Sequence, residues 1–165
     1  YPKWYIQRPA EQISEINIFP KSEDVKTDKA QLNFKREKDG TWRVIDYLIG
    51  TESHLVDDAK WQKLLPTIKS PSGVDVAVHK VRDRDYSQWG IGDNSAAVEI
   101  RFESTTEQGT TYTDGSLLLI GDLEPDGQAY YGKSSEEGVT QPVLLFPKLW
   151  VETIFGLYED IPYAD

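Results

Sequence analysis

The chain has 165 residues, enough for one folded domain or for two small halves that share a core. Its 28 acidic and 18 basic residues give a formal net charge of -10. This charge argues against nucleic acid or an anionic membrane as a partner, because few cations are available to neutralise phosphate groups. The chain contains no cysteine, which excludes disulfides, thiolate catalysis and cysteine-ligated metals.

Three short segments near the start of the chain alternate apolar with polar residues, a pattern typical of strands with one buried face. Their apolar pairs are Ile16 and Ile18, Leu32 and Phe34, and Trp42 and Val44. Lys38-Asp39-Gly40 supplies turn residues between the second and third segments. The three segments therefore predict a small antiparallel meander over residues 13–45.

A helix is predicted to follow this meander. Its apolar positions are Trp61, Leu64, Leu65 and Ile68. Asp57 precedes them and is a suitable N-cap, because its carboxylate can accept a hydrogen bond from a first-turn amide. Pro66 is expected to end or kink the helix, since its ring clashes with the carbonyl four residues back. Ser70-Pro71-Ser72-Gly73 is the clearest boundary in the chain and divides it into residues 1–70 and 74–165.

The second half begins with further strand patterns. Their apolar positions are Val74, Val76 and Val78, followed by Val98, Ile100 and Phe102. The run from Ser116 to Ile120 predicts a strand covered on both faces, which we expect to end at Gly121. Asp126-Gly127 predicts the hairpin turn that follows.

The chain closes with a strand over residues 143–146 and a short helix opened by Pro147. The side chains expected to cover the sheet from this helix are Leu149, Trp150, Ile154 and Phe155. The tail from Tyr158 to Asp165 is expected to pack on the domain or to reach a neighbour. Because strands are followed by a helix twice, we predict an α+β fold of mainly antiparallel sheets with two short helices. It would be a single domain over residues 1–165, with two related halves, each a β-meander plus a helix, as a subdivision.

A series of short motifs runs through most of the chain. In the second half they are Tyr86-x-x-Trp89-Gly90-Ile91, the Val98/Ile100/Phe102 strand, Leu118-Leu119-Ile120-Gly121 and Gly127-x-x-Tyr130-Tyr131. Upstream they are Leu32-x-Phe34-x-Arg36, Asp39-Gly40-x-Trp42-x-Val44 and the helix with Leu64-Leu65. Over residues 13–155 this order resembles the DUF4340 family of bacterial domains of unknown function.

The resemblance implies an accessory domain of the bacterial cell envelope with no assigned activity. It also implies an extracytoplasmic location, a membrane helix ahead of Tyr1 in the full-length parent, and association with transporter or gliding-type components. The expected partner is therefore a protein.

No catalytic motif is recognisable in the sequence, which contains neither a G-x-S-x-G elbow nor a phosphate-binding loop. Gly90-Ile91-Gly92 precedes a strand and does not open a helix, so it is interpreted as a turn. The two histidines are His54 and His79. The valine alternation predicts that the His79 side chain points outward. An isolated exposed histidine more often has no catalytic role than acts as a general base. We predict no catalytic residue and no cofactor.

Acidic residues leave two alternatives open. Asp122, Glu124 and Asp126 alternate along the predicted hairpin loop and offer three oxygen ligands to calcium, but their spacing lacks the EF-hand pattern. A solvated turn is the favoured interpretation, and no metal site is predicted. Asp83 and Asp85 flank Arg84, which is typical of a surface ion-pair cluster. A hydrolase remains an alternative, because its two carboxylates can come from distant strands.

Aromatic residues give the remaining indication of function. Trp42, Trp61 and Trp150 lie on apolar faces of predicted elements and are expected in the core. Trp89, Tyr130 and Tyr131 lie near a hinge and a hairpin, where an exposed aromatic contributes most to recognition. Core packing is the favoured interpretation of these three residues. Contact with a protein partner is the functional alternative.

Together these features predict a non-catalytic binding or assembly module of the bacterial envelope. Two other classes of protein remain as alternatives. An exposed row of Trp and Tyr side chains would favour a carbohydrate-binding module. A deep acidic pocket with a raised carboxyl pKa would favour a hydrolase.

Overall fold

A computed structural model describes residues 8–21, 31–69, 71, 73–135 and 140–165, and for residues 83 and 84 it describes the backbone alone. The strands are β1 Ile13–Phe19, β2 Leu32–Arg36, β3 Trp42–Asp46, β4 Ser53–Leu55, β5 Asp75–Val78, β6 Ala96–Thr105, β7 Thr111–Leu123, β8 Ala129–Ser134 and β9 Val143–Pro147. The α-helices are α1 Asp58–Ile68 and α2 Lys148–Phe155, and 3-10 turns span Ala10–Gln12, Asp83–Trp89 and Gly156–Tyr158.

The nine strands of the described residues form one sheet in the order β4-β3-β2-β1-β6-β7-β8-β9-β5. All of the neighbouring strands are antiparallel. In the same ranges, neither α-helix is long and apolar enough to cross a membrane.

The prediction of an α+β fold is wrong, because the fold is dominated by this single sheet. Two helices of 11 and 8 residues pack on it. The physical reason is that β1 pairs with both β2 and β6, so strands from both sides of the 70–73 segment join one sheet. Strands followed by a helix therefore occur twice along the chain, but the strands of both halves lie in the same sheet. The division of the chain at this segment stays a prediction.

The main core lies on one face of the sheet, beneath the two helices. Trp61 of α1 is fully buried, with its ring centroid 4.4 Å from that of Phe34 and 5.3 Å from that of Trp42. Trp150 of α2 donates its indole N–H to the carbonyl oxygen of Ile68 at 3.1 Å and thereby connects the two helices. The predictions that Trp42, Trp61 and Trp150 belong to the core are confirmed.

The start of α1 is also confirmed, since the Asp57 side chain accepts a hydrogen bond from the Lys60 amide at 3.2 Å. Pro66 does not end this helix, which continues to Ile68. In α2 the prediction that Leu149 covers the sheet is wrong, because Leu149 is 72% exposed. Trp150 and Ile154 occupy the buried face of α2, and Leu149 lies about 100° around the helix from Trp150.

Gly121 does not end its strand as predicted, because β7 runs to Leu123. The strand continues through a register shift on β8 between Ile120 and Leu123. A Cβ atom at Gly121 would lie 2.9 Å from Ile91 Cγ1 and closer still to the carbonyl oxygen of Trp89. Glycine is therefore needed at this position because the 89–91 segment packs directly on the strand.

The valine alternation in β5 is interrupted by a second register shift, between Val76 and Val78 opposite β9. Val74 and Val76 consequently pack against the main core, whereas Val78 packs against a smaller cluster on the other face of the sheet. The prediction that all three valines share one buried face is wrong for Val78. A bulge of this kind moves the side chain of every residue beyond it to the opposite face of the sheet.

Tyr158 connects the end of the chain to β1, and its hydroxyl donates a hydrogen bond to the Ile18 carbonyl oxygen at 2.9 Å. Burial raises the pKa of Tyr158, and the negative charge of Asp46 adds to this effect. The folded state therefore favours the neutral phenol. The stability it contributes is present below the ordinary tyrosine pKa of about 10 and is lost as the pH rises above that value.

We expect Tyr158→Phe to lower the free energy of unfolding by about 0.5–1.5 kcal/mol at pH 8, because one buried hydrogen bond is removed. The variant should then lose less stability than the wild type on going to about pH 11, where an unfolded tyrosine ionises. Urea unfolding of both proteins at the two pH values measures this difference. Tyr112→Phe, at a position 50% exposed, is the control and should follow the wild type. Equal alkaline losses for Tyr158→Phe and the wild type would contradict the prediction.

Candidate functional site

Large apolar side chains that remain exposed concentrate at one edge of the sheet. Among the described residues there are seven such side chains, of which four are Tyr47 (41% exposed), Leu48 (73%), Ile49 (75%) and Leu55 (46%). We call these four residues the edge patch. The other three, Tyr112, Leu123 and Leu149, lie at the two ends of β7 and on α2. The edge patch is thus the largest group of exposed apolar side chains among the residues that the structure describes.

The exposure of Leu48 and Ile49 is a fixed feature of the turn between β3 and β4. Asp46 accepts three hydrogen bonds there, from the Leu48 amide to its side chain at 3.0 Å and from the Ile49 and Gly50 amides to its carbonyl at 3.1 and 3.2 Å. The Tyr47 amide donates to the Gln31 carbonyl at 2.9 Å. The apolar side chains therefore project from a hydrogen-bonded turn.

β4 is the terminal strand on this side of the sheet and pairs along one side with β3. Its other side is partly occupied by residues 161–165, which we call the C-terminal tail. Tyr163 forms an antiparallel bridge with Val56. The Ala164 amide donates to the Leu55 carbonyl at 2.8 Å, and the Asp57 amide donates to the Pro162 carbonyl at 2.8 Å. The tail thus packs on the domain, which was one of the two outcomes expected from the sequence.

An open groove with a volume of about 570 Å³ runs between β4, the edge patch and the C-terminal tail. The residues that line it are Arg43, Ile49, Glu52, Ser53, His54, Leu55, Tyr163, Ala164 and Asp165. The Arg43 guanidinium is held in place, since Nε donates to the Ser53 hydroxyl at 2.9 Å and Nη2 donates to the Ser53 carbonyl at 3.1 Å. The groove therefore combines apolar walls with one fixed cation and two acidic residues, Glu52 and Asp165.

Tyr163 forms one wall of the groove and meets His54 edge to face, with ring centroids 5.6 Å apart. Burial raises the pKa of Tyr163, and the negative charge of Asp46 adds to this effect. This arrangement of aromatic, apolar, cationic and acidic groups suits binding of a polypeptide.

The three aromatic residues predicted to contact a partner do not form one surface. Trp89 and Tyr131 are half-buried and pack together with the second cluster, formed by Tyr86, Ile91 and Val143. Tyr130, the neighbour of Tyr131 in β8, packs against the main core on the opposite face. The structure brings Trp89 and Tyr131 together and separates Tyr130 from them. Their contact with a partner stays a prediction.

The hydroxyl of Tyr130 lies 3.3 Å from Glu152 Oε1, to which it donates a hydrogen bond. Burial raises the pKa of Tyr130, and the charge of Glu152 adds to the effect. Tyr130 therefore links β8 to α2, and this contact gives the residue a structural role.

The hairpin with the three alternating carboxylates forms as predicted at Asp126-Gly127. The Gly127 amide donates to the Glu124 carbonyl at 2.8 Å, and the Gln128 amide donates to Asp126 Oδ1 at 2.9 Å. A hydrogen bond with Asp126 raises the pKa of Glu124, and partial burial and the negative charge of Asp126 add to this effect. In the described ranges, no three His, Asp or Glu side chains converge to hold a metal ion.

His54 and His79 are both exposed, and they lie at opposite edges of the sheet, in β4 and directly after β5. They therefore do not combine into one site. The ion-pair cluster predicted around Arg84 depends on side chains outside the described residues.

A polar network lies on the open face of the sheet, across β2, β1 and β6. Asn33 Nδ2 donates to Asn17 Oδ1 at 2.7 Å, Asn17 Nδ2 donates to Glu99 Oε1 at 3.0 Å, and Arg101 Nε donates to the same Glu99 oxygen at 3.3 Å. These groups satisfy one another across the register pairs of the strands. We interpret the network as fixing the strand register.

Sequence reasoning missed the edge patch, although a signal was present. Tyr47-Leu48-Ile49 is a run of three apolar residues that ends at Gly50, where a polar turn is the norm. Such a run in an exposed turn is unfavourable for solubility unless it has a function.

Comparisons of this chain with protein families, curated proteins and solved structures found no match. Membership of the DUF4340 family therefore stays a prediction.

Proposed function

We propose that this chain is a non-catalytic protein-binding module that contacts its partner through the edge patch and the groove beside β4. The observation that supports this function most is the gathering of Tyr47, Leu48, Ile49 and Leu55 at a terminal strand of the sheet. Exposed apolar patches are typical of interaction sites. The edge of a sheet adds backbone groups that can pair with an incoming segment.

The edge patch can contribute the free energy of apolar burial to a contact with a partner. Burying one leucine or isoleucine side chain stabilises a complex by about 1.5–3 kcal/mol. Leu48 and Ile49 are 73% and 75% exposed, so most of this contribution is unused in the isolated chain. The turn is already ordered by Asp46, which lowers the entropic cost of presenting the two side chains.

The two alternative functions have less support. Among the described residues, the exposed large aromatic side chains are Tyr47 and Tyr112, which lie on different elements and form no row for stacking sugars. The carboxyl group with a raised pKa, Glu124, lies on an exposed hairpin and not in a cleft. These observations favour a protein partner over a glycan or a hydrolysed substrate.

We also propose that the module acts in the bacterial envelope, on the extracytoplasmic side, as an accessory to a transporter or gliding-type complex. The support for this location is the sequence resemblance. A full-length parent with a membrane anchor would hold the module near such a complex.

A crosslinking experiment on the tagged full-length parent in its own cells tests the function and the location together. A membrane-impermeant crosslinker is applied to spheroplasts, and captured proteins are identified by mass spectrometry. We expect Leu48→Ser combined with Ile49→Ser to reduce partner recovery by about tenfold or more, because two apolar contacts are lost. Leu149→Ser is the matched control, since Leu149 is 72% exposed on α2, and should leave recovery unchanged.

Equal recovery with the double variant and the wild type would overturn the proposed site. Trp89→Ala and Tyr131→Ala, made in proteins shown to be folded, test the location predicted from the sequence. Loss of the partner in these two variants alone would move the contact to the second cluster. If the partner is recovered only with a membrane-permeant crosslinker, the result would contradict the extracytoplasmic location.

A further inference from the structure

We infer that the β4 edge is a receptor for a segment with the pattern apolar-Pro-Tyr in a partner protein, and that the C-terminal tail occupies this receptor in competition with the partner. This inference rests on the proposed function, because it names the kind of segment that the same site accepts. Its basis is the way in which Ile161, Pro162 and Tyr163 lie on the strand.

The backbone contacts of the tail with the domain are one isolated bridge and two main-chain hydrogen bonds. The tail is bridged to Val56 in antiparallel orientation through Tyr163. Leu55 accepts from the Ala164 amide, and Asp57 donates to the Pro162 carbonyl, each at 2.8 Å. These bonds use only main-chain atoms on both sides. Another polypeptide of suitable shape can therefore make them as well.

The side chains of the tail supply the selectivity. Ile161 packs against the main core, Pro162 is buried, and Tyr163 is half-buried beside His54. Pro162 suits its position because the residue contributes a carbonyl acceptor and no N–H donor is required of it. Each of the three consecutive residues thus has a defined environment on the domain.

The tail is also preorganised for this site. The Tyr163 amide donates to the Ile161 carbonyl at 2.8 Å, which closes a three-residue turn around Pro162. The fixed φ angle of proline favours such a turn before binding. A partner segment with the same apolar-Pro-Tyr pattern would pay a similarly small entropic cost.

Ala164 and Asp165 are exposed, and the groove of about 570 Å³ continues beside Tyr163 and Ala164. A tethered segment competes with a free one at an effective concentration in the millimolar range. The tail is therefore expected to weaken binding of an external segment without preventing it. Release of the tail would expose the full receptor.

The probe for this inference is a labelled peptide with the sequence of residues 158–165, Tyr-Glu-Asp-Ile-Pro-Tyr-Ala-Asp. The receptor is the complete chain with Pro162→Asp and Tyr163→Asp, which releases the tail. Fluorescence anisotropy should show saturable binding that is about tenfold or more tighter than binding to the wild type. The matched control peptide is methylated on the amide nitrogen of the alanine that corresponds to Ala164. It should bind more weakly, because it cannot donate to the Leu55 carbonyl.

A second measurement applies if the tail-release variant does not fold. The isotope-labelled wild-type chain is titrated with the same peptide to about 5 mM, and the amide resonances of Tyr163 and Ala164 in the displaced tail should shift. The inference is overturned if a folded release variant binds neither peptide or binds both equally. It is also overturned if the wild-type resonances do not shift over the whole titration.

These outcomes are distinct from those that test the proposed function. If the peptide does not bind but Leu48→Ser and Ile49→Ser still abolish partner capture, the tail inference fails and the proposed function stands. If the peptide binds but partner capture is unaffected by the double substitution, the proposed function fails.

Discussion

Replacing Trp61 with alanine is expected to lower the free energy of unfolding by about 3–5 kcal/mol, the range typical of large buried aromatic residues. Trp61 is fully buried and lies between Phe34 and Trp42, with ring centroids 4.4 and 5.3 Å away. The substitution leaves a cavity at the place where α1 meets β2 and β3. Urea unfolding followed by circular dichroism measures the loss.

Trp61→Phe is the matched control, because it keeps an aromatic ring in contact with Phe34. The indole nitrogen of Trp61 is buried and has no hydrogen-bond partner within the described residues, so the phenylalanine variant removes an unpaired donor. We expect it to lose less than half as much stability as the alanine variant. Similar losses for the two variants would show that ring packing is not what stabilises this contact.

Gly132→Ala is expected to destabilise the protein by about 3 kcal/mol, because β8 has no space for a side chain at this position. A Cβ atom there would lie 2.6 Å from Phe146 Cδ2 and closer still to the Leu119 carbonyl oxygen. Leu119 is fixed in the ladder between β7 and β8, and the Phe146 ring packs 5.4 Å from Trp150. Neither neighbour can move without disturbing the sheet. Thermal and urea unfolding measure the change.

Gly115→Ala in β7 is the control for this prediction. The nearest atoms to its added Cβ would be 3.4 Å away, which is an ordinary contact distance. We expect its stability to stay within about 1 kcal/mol of the wild type, since alanine also reduces the entropy of the unfolded chain. A Gly132→Ala protein as stable as Gly115→Ala would contradict the close packing of β7, β8 and β9.

The parts of the fold that follow from local sequence were predictable. Val98, Ile100 and Phe102 are buried along β6 as their alternation indicates, and Asp57 caps α1. The pairing of β1 with β6 was not predictable, because it joins residues that are distant in the chain, such as Ile16 and Ile100. Nothing in a single strand specifies its partner at that distance, so the single sheet was not foreseen.

The candidate site could likewise be predicted only in part from the sequence. The apolar run of the edge patch was visible in the sequence, but the terminal position of β4 and the bridge from Tyr163 to Val56 depend on long-range pairing. The turn predicted at Gly90 is confirmed, since Gly90 follows Trp89 with a φ angle of 71°. The packing of Trp89 beside Tyr131 arises because the 3-10 turn Asp83–Trp89 and the residues after it cover the sheet, which no local pattern indicates.

Site-specific photo-crosslinking from position 49 tests the proposed binding site most directly. The full-length parent, with the photoreactive amino acid benzoylphenylalanine in place of Ile49, is irradiated in its own cells. A second protein has the same amino acid in place of Leu149, where the exposure of 72% is close to the 75% of Ile49. We predict a discrete adduct with one partner protein from position 49 and none from position 149. Adducts of equal yield from both positions, or an adduct from position 149 alone, would contradict a partner contact at the edge patch.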